Sequence, residues 1–221
     1  MIQCLLQSQL LNDSDHFWNS IFPAPLKNHH FDTATGGPPM VDDELLTKAA
    51  QCITGGDFLG GMEIFQSVID NHPDSPIGFH GWAEAAMFEI QENGNIDDSG
   101  NDRFNEGQIQ SFLKKATKME PENPEYLAAF ANALIEFDRV PMAIREFQRL
   151  HELGQASEEN DVSFHLYEAA RLLIDSIDVK TNFDRSHDFA RKYVRTAIEF
   201  SLLGLGFSSA EEALEYMTSD E

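Results

Sequence analysis

Positive charge is what this chain has least of. Its 221 residues carry 15 Lys plus Arg against 38 Asp plus Glu, a formal net charge of −23. Such a field repels nucleic acid and anionic membrane and favours basic partners, although a salt-adapted composition produces the same bias with no partner at all. Cysteine is nearly missing. Cys4 and Cys52 are too few and too far apart for a zinc site or a disulfide framework, which fits a reducing interior and an expected cytoplasmic location. No run approaches the ~18 apolar residues of a membrane span. The opening stretch MIQCLLQSQLLNDSDHFW has no basic leader and only a short apolar patch, a poor signal peptide. Valine is scarce while Ala, Leu, Glu and Phe are plentiful, which favours helix over strand. With 42% hydrophobic and 10% aromatic residues a sizeable core is expected, and global disorder is not.

The chain is organised around Leu45 to Pro73. Leu45, Ala49, Cys52 and Ile53 recur at helical spacing, then Phe58, Met62, Phe65, Val68 and Ile69 do so again. Between the two runs Gly55, Gly56 and Asp57 supply a tight turn and an N-cap, and Pro73 stops the second helix. This helix pair resembles a tetratricopeptide (TPR) repeat. Small residues at Ala49 and Gly61 let the helices approach, Phe65 packs across them and Pro73 closes the unit. Leu45 replaces the family's tryptophan, and Gly61 the alanine after the turn.

The same spacing continues. A second repeat over residues 76–123 has Phe79, Trp82, Ala83, Ala86 and Met87 on its first helix and Ile109, Phe112, Leu113 and Ala116 on its second, Gly107 to Met119. A polar insertion, residues 91–106, separates them, and Trp82 is expected to be largely buried. The third, residues 124–157, presents Leu127, Phe130, Ala131 and Leu134, turns at Asp138 to Pro141, continues through Ala143, Phe147 and Leu150, and ends at Gly154. The fourth, residues 160–203, is degenerate: Phe164 to Ile177 and Ser186 to Leu203 are joined by Asp178 to Arg185. A capping helix over 208–218 follows, with Ser208 and Ser209 before it and Glu211 and Glu212 in its first turn. Terminal repeats are expected to depart from the pattern because one face meets water. Residues 1–39 form an N-terminal arm or linker, rich in Asp, Asn, His and Pro around Phe17, Trp18, Phe22 and Phe31 and ending in Gly-Gly-Pro-Pro. It reads equally as a docked short helix, an extended arm, or a leader ahead of a natural start at Met40. The expected fold is thus all-α, a right-handed α-solenoid of about four antiparallel helix pairs with a C-terminal cap.

No catalytic constellation stands out. The eight histidines share no ligand spacing, the glycine pairs lack a following Lys-Ser/Thr, and no G-x-S-x-G places a nucleophile, so the chain is read as a non-enzyme without a cofactor. The insertion carries one metal candidate. Asn95, Asp97, Ser99, Gly100 and Glu106 fall at positions of an EF-hand-like calcium loop, which needs oxygen ligands, a glycine turn and a closing carboxylate. Asn95 in place of Asp, Asp102 in place of an apolar residue and the lack of a second loop argue against it, and the same residues build any solvated loop.

The resemblance implies a concave groove, lined by the first helix of each pair, that holds a peptide segment of a partner. At the family's groove-facing positions stand Leu46, Ile53, His80, Glu84, Met87, Phe88, Ala128, Asn132, Ile135 and Glu136. That lining is apolar with carboxylates and suits a basic protein or peptide with apolar anchors. The implied function is a protein-binding adaptor or scaffold. Alternatives are a secretion-chaperone-like TPR protein, a regulatory subunit with a calcium-responsive loop at 95–106, and a groove covered by the arm or by a second copy in a homodimer. TPR clamps for a chaperone's C-terminal carboxylate carry Lys, Asn and Arg; the corresponding positions here are Leu46, Ala50, Gly81, Glu125 and Ala129, which leave no cation, and Glu125 would repel a carboxylate.

Overall fold

The computed structural model describes residues 41–97, 99–157, 162–180, 187–209 and 212. Among these it contains eight helices and no strand beyond an isolated bridge between Ile96 and Asp102. They are α1 (Asp43–Thr54), α2 (Phe58–Asn71), α3 (Pro76–Asn93), α4 (Glu106–Met119), α5 (Pro124–Glu136), α6 (Val140–Ala156), α7 (Ser163–Lys180) and α8 (His187–Gly204). The expected arm over 1–39 and most of the cap over 208–218 lie outside the described residues.

The helix starts follow local chemistry. Asp42 Oδ1 accepts from the Glu44 amide at 2.9 Å and Asp57 Oδ1 from the Gly60 amide at 3.0 Å, each satisfying an orphan donor of a first turn. Asn105 does the same for Gln108, and Asn123 for both Glu125 and Tyr126. Pro76 and Pro124 occupy first-turn positions, where a missing N–H costs nothing. At the expected cap, Ser209 Oγ accepts from the Glu212 amide at 3.1 Å while Glu212 Oε2 accepts from the Ser208 amide at 2.6 Å. Glu212 thus reaches back one residue beyond its capping serine, and the hydrogen bonds from Ser208 hold the Glu212 carboxyl below its usual range.

Adjacent helices pack as pairs, and α2, α4 and α6 each also pack against the helix that follows them. Beyond these consecutive contacts, α3 packs against α5 and α5 against α7. The core runs along these seams. Ala49, Phe65, Ala83, Ile109, Leu113, Leu134, Phe147, Leu166 and Leu173 are all buried, with the periodicity that marks one helix face. One contact decides how closely α2 and α3 approach. Phe65 is fully buried, and a Cβ built on Gly81 would lie 2.3 Å from its ring atoms. Only a hydrogen at that position leaves room for the ring. A similar constraint joins α7 and α8: a Cβ on Gly204 would meet the Tyr167 amide nitrogen at 2.6 Å and the Ser163 carbonyl oxygen at 2.7 Å.

Several sequence expectations need correction. Gly154 does not stop α6, which continues through Ala156. Glycine costs a helix ~1 kcal/mol but does not break it where flanking residues keep helical bonds. The insertion shortens to residues 94–105, because α3 extends to Asn93 and α4 begins at Glu106. Helix α7 runs on to Lys180. Trp82 is half-buried, its ring edge-on to that of Phe112 at 5.0 Å. Gly81 does not face a groove; it faces Phe65.

The tight seam yields a double-mutant test. Gly81→Ala should destabilise by ~1–3 kcal/mol through overpacking, and Phe65→Ala by ~3–5 kcal/mol through the cavity it leaves. Because the two side chains share one space, adding Phe65→Leu to Gly81→Ala should cost clearly less than the sum of the single changes. Additive costs in denaturant melts would place the ring elsewhere.

Candidate functional site

The first helix of the second pair and that of the third bring five polar residues together or into line. On α3, His80 Nε2 lies 3.5 Å from Glu84 Oε1, one helical turn away. Across the seam, the His80 ring stands 4.6 Å from the Tyr126 ring at a tilt of 46°. Tyr126 and its neighbour Glu125 are held in the first turn of α5 by Asn123 Oδ1, which accepts from both amides, at 3.3 and 3.0 Å. Two turns further along the same face of α5, Asn132 has its Oδ1 buried with no hydrogen-bond partner. His80 Nε2 is likewise buried and unpartnered.

Burial governs the charge state of this cluster. His80 is only 3% exposed, and desolvation pushes its pKa down from 6.5 to about 3. The Glu84 side chain is 21% exposed; desolvation, reinforced by the Glu125 carboxylate, pushes its pKa up from 4.5 to about 8. Desolvation raises Glu125 to about 7. Burial first, then the carboxylates of Glu120, Glu125 and Glu84, push the Tyr126 phenol above its ordinary range. At neutral pH the free chain therefore holds an uncharged imidazole beside a protonated Glu84, not an ion pair. The charges that reinforce these shifts of Glu84 and Tyr126 are carboxylates.

The expected groove residues divide by depth. Ile53, His80, Ala128 and Ile135 are buried beneath the surface, with exposures of 3–7%. Leu46, Glu84, Met87, Phe88 and Asn132 are partly exposed and Glu136 is exposed. Phe88 is engaged within the chain, stacked on Phe58 of α2 at 5.8 Å. His80 and Glu84 are brought together. Tyr126 was missed as a site residue, because an aromatic at the start of a helix reads as core. From sequence Glu125 reads only as a charge repelling carboxylates, since acidic first turns are common for dipole reasons alone.

The insertion is closed by its own hydrogen bonds. Asn95 Oδ1 accepts from the Phe104 amide at 2.9 Å and its Nδ2 donates to the Phe104 carbonyl at 3.2 Å. Asp97 Oδ1 accepts from the amides of Ser99 and Asn101, both at 2.8 Å, and such bonds, the Asn101 amide foremost, hold its carboxyl below its usual value. Arg103 ties the loop to α3 through Glu89, which is 5% exposed, and through the Gly94 carbonyl. Calcium would have to compete with these amides for the Asn95 and Asp97 oxygens. Ser99 and Glu106 are exposed. Among the described residues no group of three or more His, Cys, Asp or Glu is arranged to hold a metal ion, and no helix is long and apolar enough to cross a membrane.

Compared with known protein families and with curated proteins, the chain matches none.

The cluster makes stability pH-dependent in a defined direction. The raised carboxyls of Glu84 and Glu125 contribute stability that is complete below their ordinary 4.5 and is lost as pH rises through about 7 and 8. His80 acts oppositely, its contribution present above 6.5 and lost as pH falls towards about 3. Glu84→Gln should therefore gain ~1–3 kcal/mol on the wild type at about pH 8 and much less at about pH 5. Denaturant melts at the two pH values check this; a difference independent of pH would mean that Glu84 ionises freely.

Proposed function

We propose that the chain is a TPR-like, right-handed α-solenoid that acts as a protein-binding adaptor and takes a basic partner segment along its row of first helices. The observation that carries this reading is the pattern of packing. Consecutive helices pack together, and further contacts run from α3 to α5 and from α5 to α7, the first helices of neighbouring pairs. Stacking of that kind builds a continuous core and leaves one face formed by first helices alone. That face presents partly exposed Met87, Phe88, Glu84 and Asn132 together with exposed Glu136. Apolar groups there gain affinity by leaving water, and the −23 charge sets the sign of the partner.

The charge states divide the labour. Glu84 is largely protonated near neutrality, so the long-range attraction rests on exposed carboxylates such as Glu136 and on the net charge. Met87 makes a cleaner anchor test than Phe88, whose ring already stacks on Phe58.

An array of short peptides varying in apolar and charged content tests the reading directly. Selected binders should combine apolar anchors with Lys or Arg. Against a selected peptide, Met87→Ala should raise the dissociation rate several-fold, while Glu136→Lys should slow association and flatten its salt dependence. Selection of acidic peptides, or kinetics that neither variant alters, would contradict the proposal.

A further inference from the structure

Helix α7 ends the row of first helices with an aromatic stripe in water. Phe164, Tyr167, Glu168 and Arg171 follow one another at i, i+3, i+4 and i+7, so they share one face of the helix. Phe164 is 58% exposed and Tyr167 46%. The far face carries Leu166, Ala169, Ala170 and Leu173, all buried in the core. Gly204 lies against Tyr167 and Ser163, which brings the end of α8 beside the first turns of α7, and Leu205 after it is also exposed. One pair earlier the same register ends differently. Leu127, Phe130, Ala131 and Leu134 of α5 are buried at one constant offset from Leu166, Ala169, Ala170 and Leu173. At that offset Tyr167 takes the place of Ala128, which is buried in a stack that continues from α5 to α7. No first helix follows α7 among the described residues. The end of a solenoid is expected to be polar, so two large rings on this one call for a cover.

We propose that this stripe is a dimer interface, on which α7 of a second copy stacks antiparallel across a two-fold axis between Tyr167 and Glu168. The stripe is self-complementary in that arrangement. Reversed about its centre, it sets Phe164 opposite Arg171 of the second copy and Tyr167 opposite Glu168 of the second copy. A guanidinium stacks on an aromatic face, and a phenol donates to a carboxylate. The charged half is already in place on this face. Arg171 Nη2 donates to Glu168 Oε2 at 2.7 Å, while Arg171 Nε has no hydrogen-bond partner, so the guanidinium is only partly satisfied within its own chain. The contact continues the packing of α3 on α5 and of α5 on α7, with a first helix of the second copy as the next member of the row.

Charge sets the strength and the sign of the salt effect. Two chains of −23 repel each other at long range, but within the stripe Glu168 is balanced by Arg171, so like copies can meet there. A basic foreign segment is a poorer occupant, because Arg171 stands on the face it would have to cover. The apolar part of the surface is small, Phe164 and Tyr167 with Leu205 at its side, so the dimer is weak and reversible. Salt screens the repulsion and tightens it, whereas salt weakens a basic peptide bound on the acidic face. The dimer needs no bound peptide, and its failure would leave the adaptor reading untouched.

Sedimentation velocity of the full chain at ~5 to ~500 μM, in ~50 mM and ~500 mM salt, tests this. A reversible monomer–dimer equilibrium is expected, with a Kd of roughly 10–500 μM at the higher salt, as suits an interface below standard size. At the lower salt it should be about threefold weaker or more. Phe164→Asp and, separately, Tyr167→Lys should each raise Kd about tenfold or more, with helix content and Tm unchanged because both side chains lie largely in solvent. A cross-link reads the placement independently. With Cys4 and Cys52 replaced by Ser, Glu168→Cys beside the two-fold axis should give a disulfide-linked dimer under mild oxidation. Met142→Cys, at an exposed position on α6, should not. A dimer that ignores both stripe variants, one that cross-links through Met142→Cys instead, or one that added salt dissociates would overturn the proposal. A monomer at every concentration would do so too, and would leave the stripe to the chain's own C-terminal residues or to a foreign partner.

Discussion

The structure depends on aromatic rings entering spaces that only small residues leave open. Phe65 is the clearest case: its fully buried ring occupies the volume that a side chain on Gly81 would need. Without that fit α2 and α3 stand further apart, and α3 is the helix that carries His80 and Glu84. Ala49, Ala83, Ala131, Ala143 and Ala169 are similarly buried along the helix seams, and Phe147 meets Phe200 at 5.7 Å in the later pairs. Dispersion contacts of this kind are individually small, but dense packing makes them collectively decisive for spacing.

Placement of α3 against α5 then creates an electrostatic contrast. The chain is strongly acidic, with a net charge of −23, while desolvation raises two partly buried carboxyls, Glu84 on α3 to about 8 and Glu125 on α5 to about 7. The two regions answer different physical demands. Exposed carboxylates are hydrated at little cost and act at a distance, whereas buried ones must be neutralised by a proton or by a partner's charge. Elsewhere the same problem is solved inside the chain: Glu89, more deeply buried, is paired with Arg103 from the insertion.

Much of the helical frame was legible in the sequence because its punctuation is local. Gly55 to Asp57, Pro76, Asn123 and Pro124 act within a few residues, and the 3.6-residue spacing of Phe58, Met62, Phe65 and Ile69 needs no knowledge of neighbours. Depth was not legible. Periodicity identifies which residues share a face, but whether that face meets water or another helix depends on the neighbouring pair. Ile53, His80, Ala128 and Ile135 accordingly lie deeper than a groove lining would, and Trp82 lies shallower than a core residue. Gly81 shows the same limit, since its role is set by a ring sixteen positions away (Phe65). Tyr126 joins the site only through its contact with His80, and no local pattern announces a contact across 46 positions.

The proposed adaptor role requires that a basic segment bind on the face built from first helices. Hydrogen–deuterium exchange of the full chain with and without a selected basic peptide reads this face by face. Added protection is expected in α3 and α5, centred on Glu84 to Phe88 and Glu125 to Asn132, with the insertion at 94–105 and helix α6 unchanged. Protection confined to α6 or to the insertion, with α3 and α5 unaffected, would contradict it.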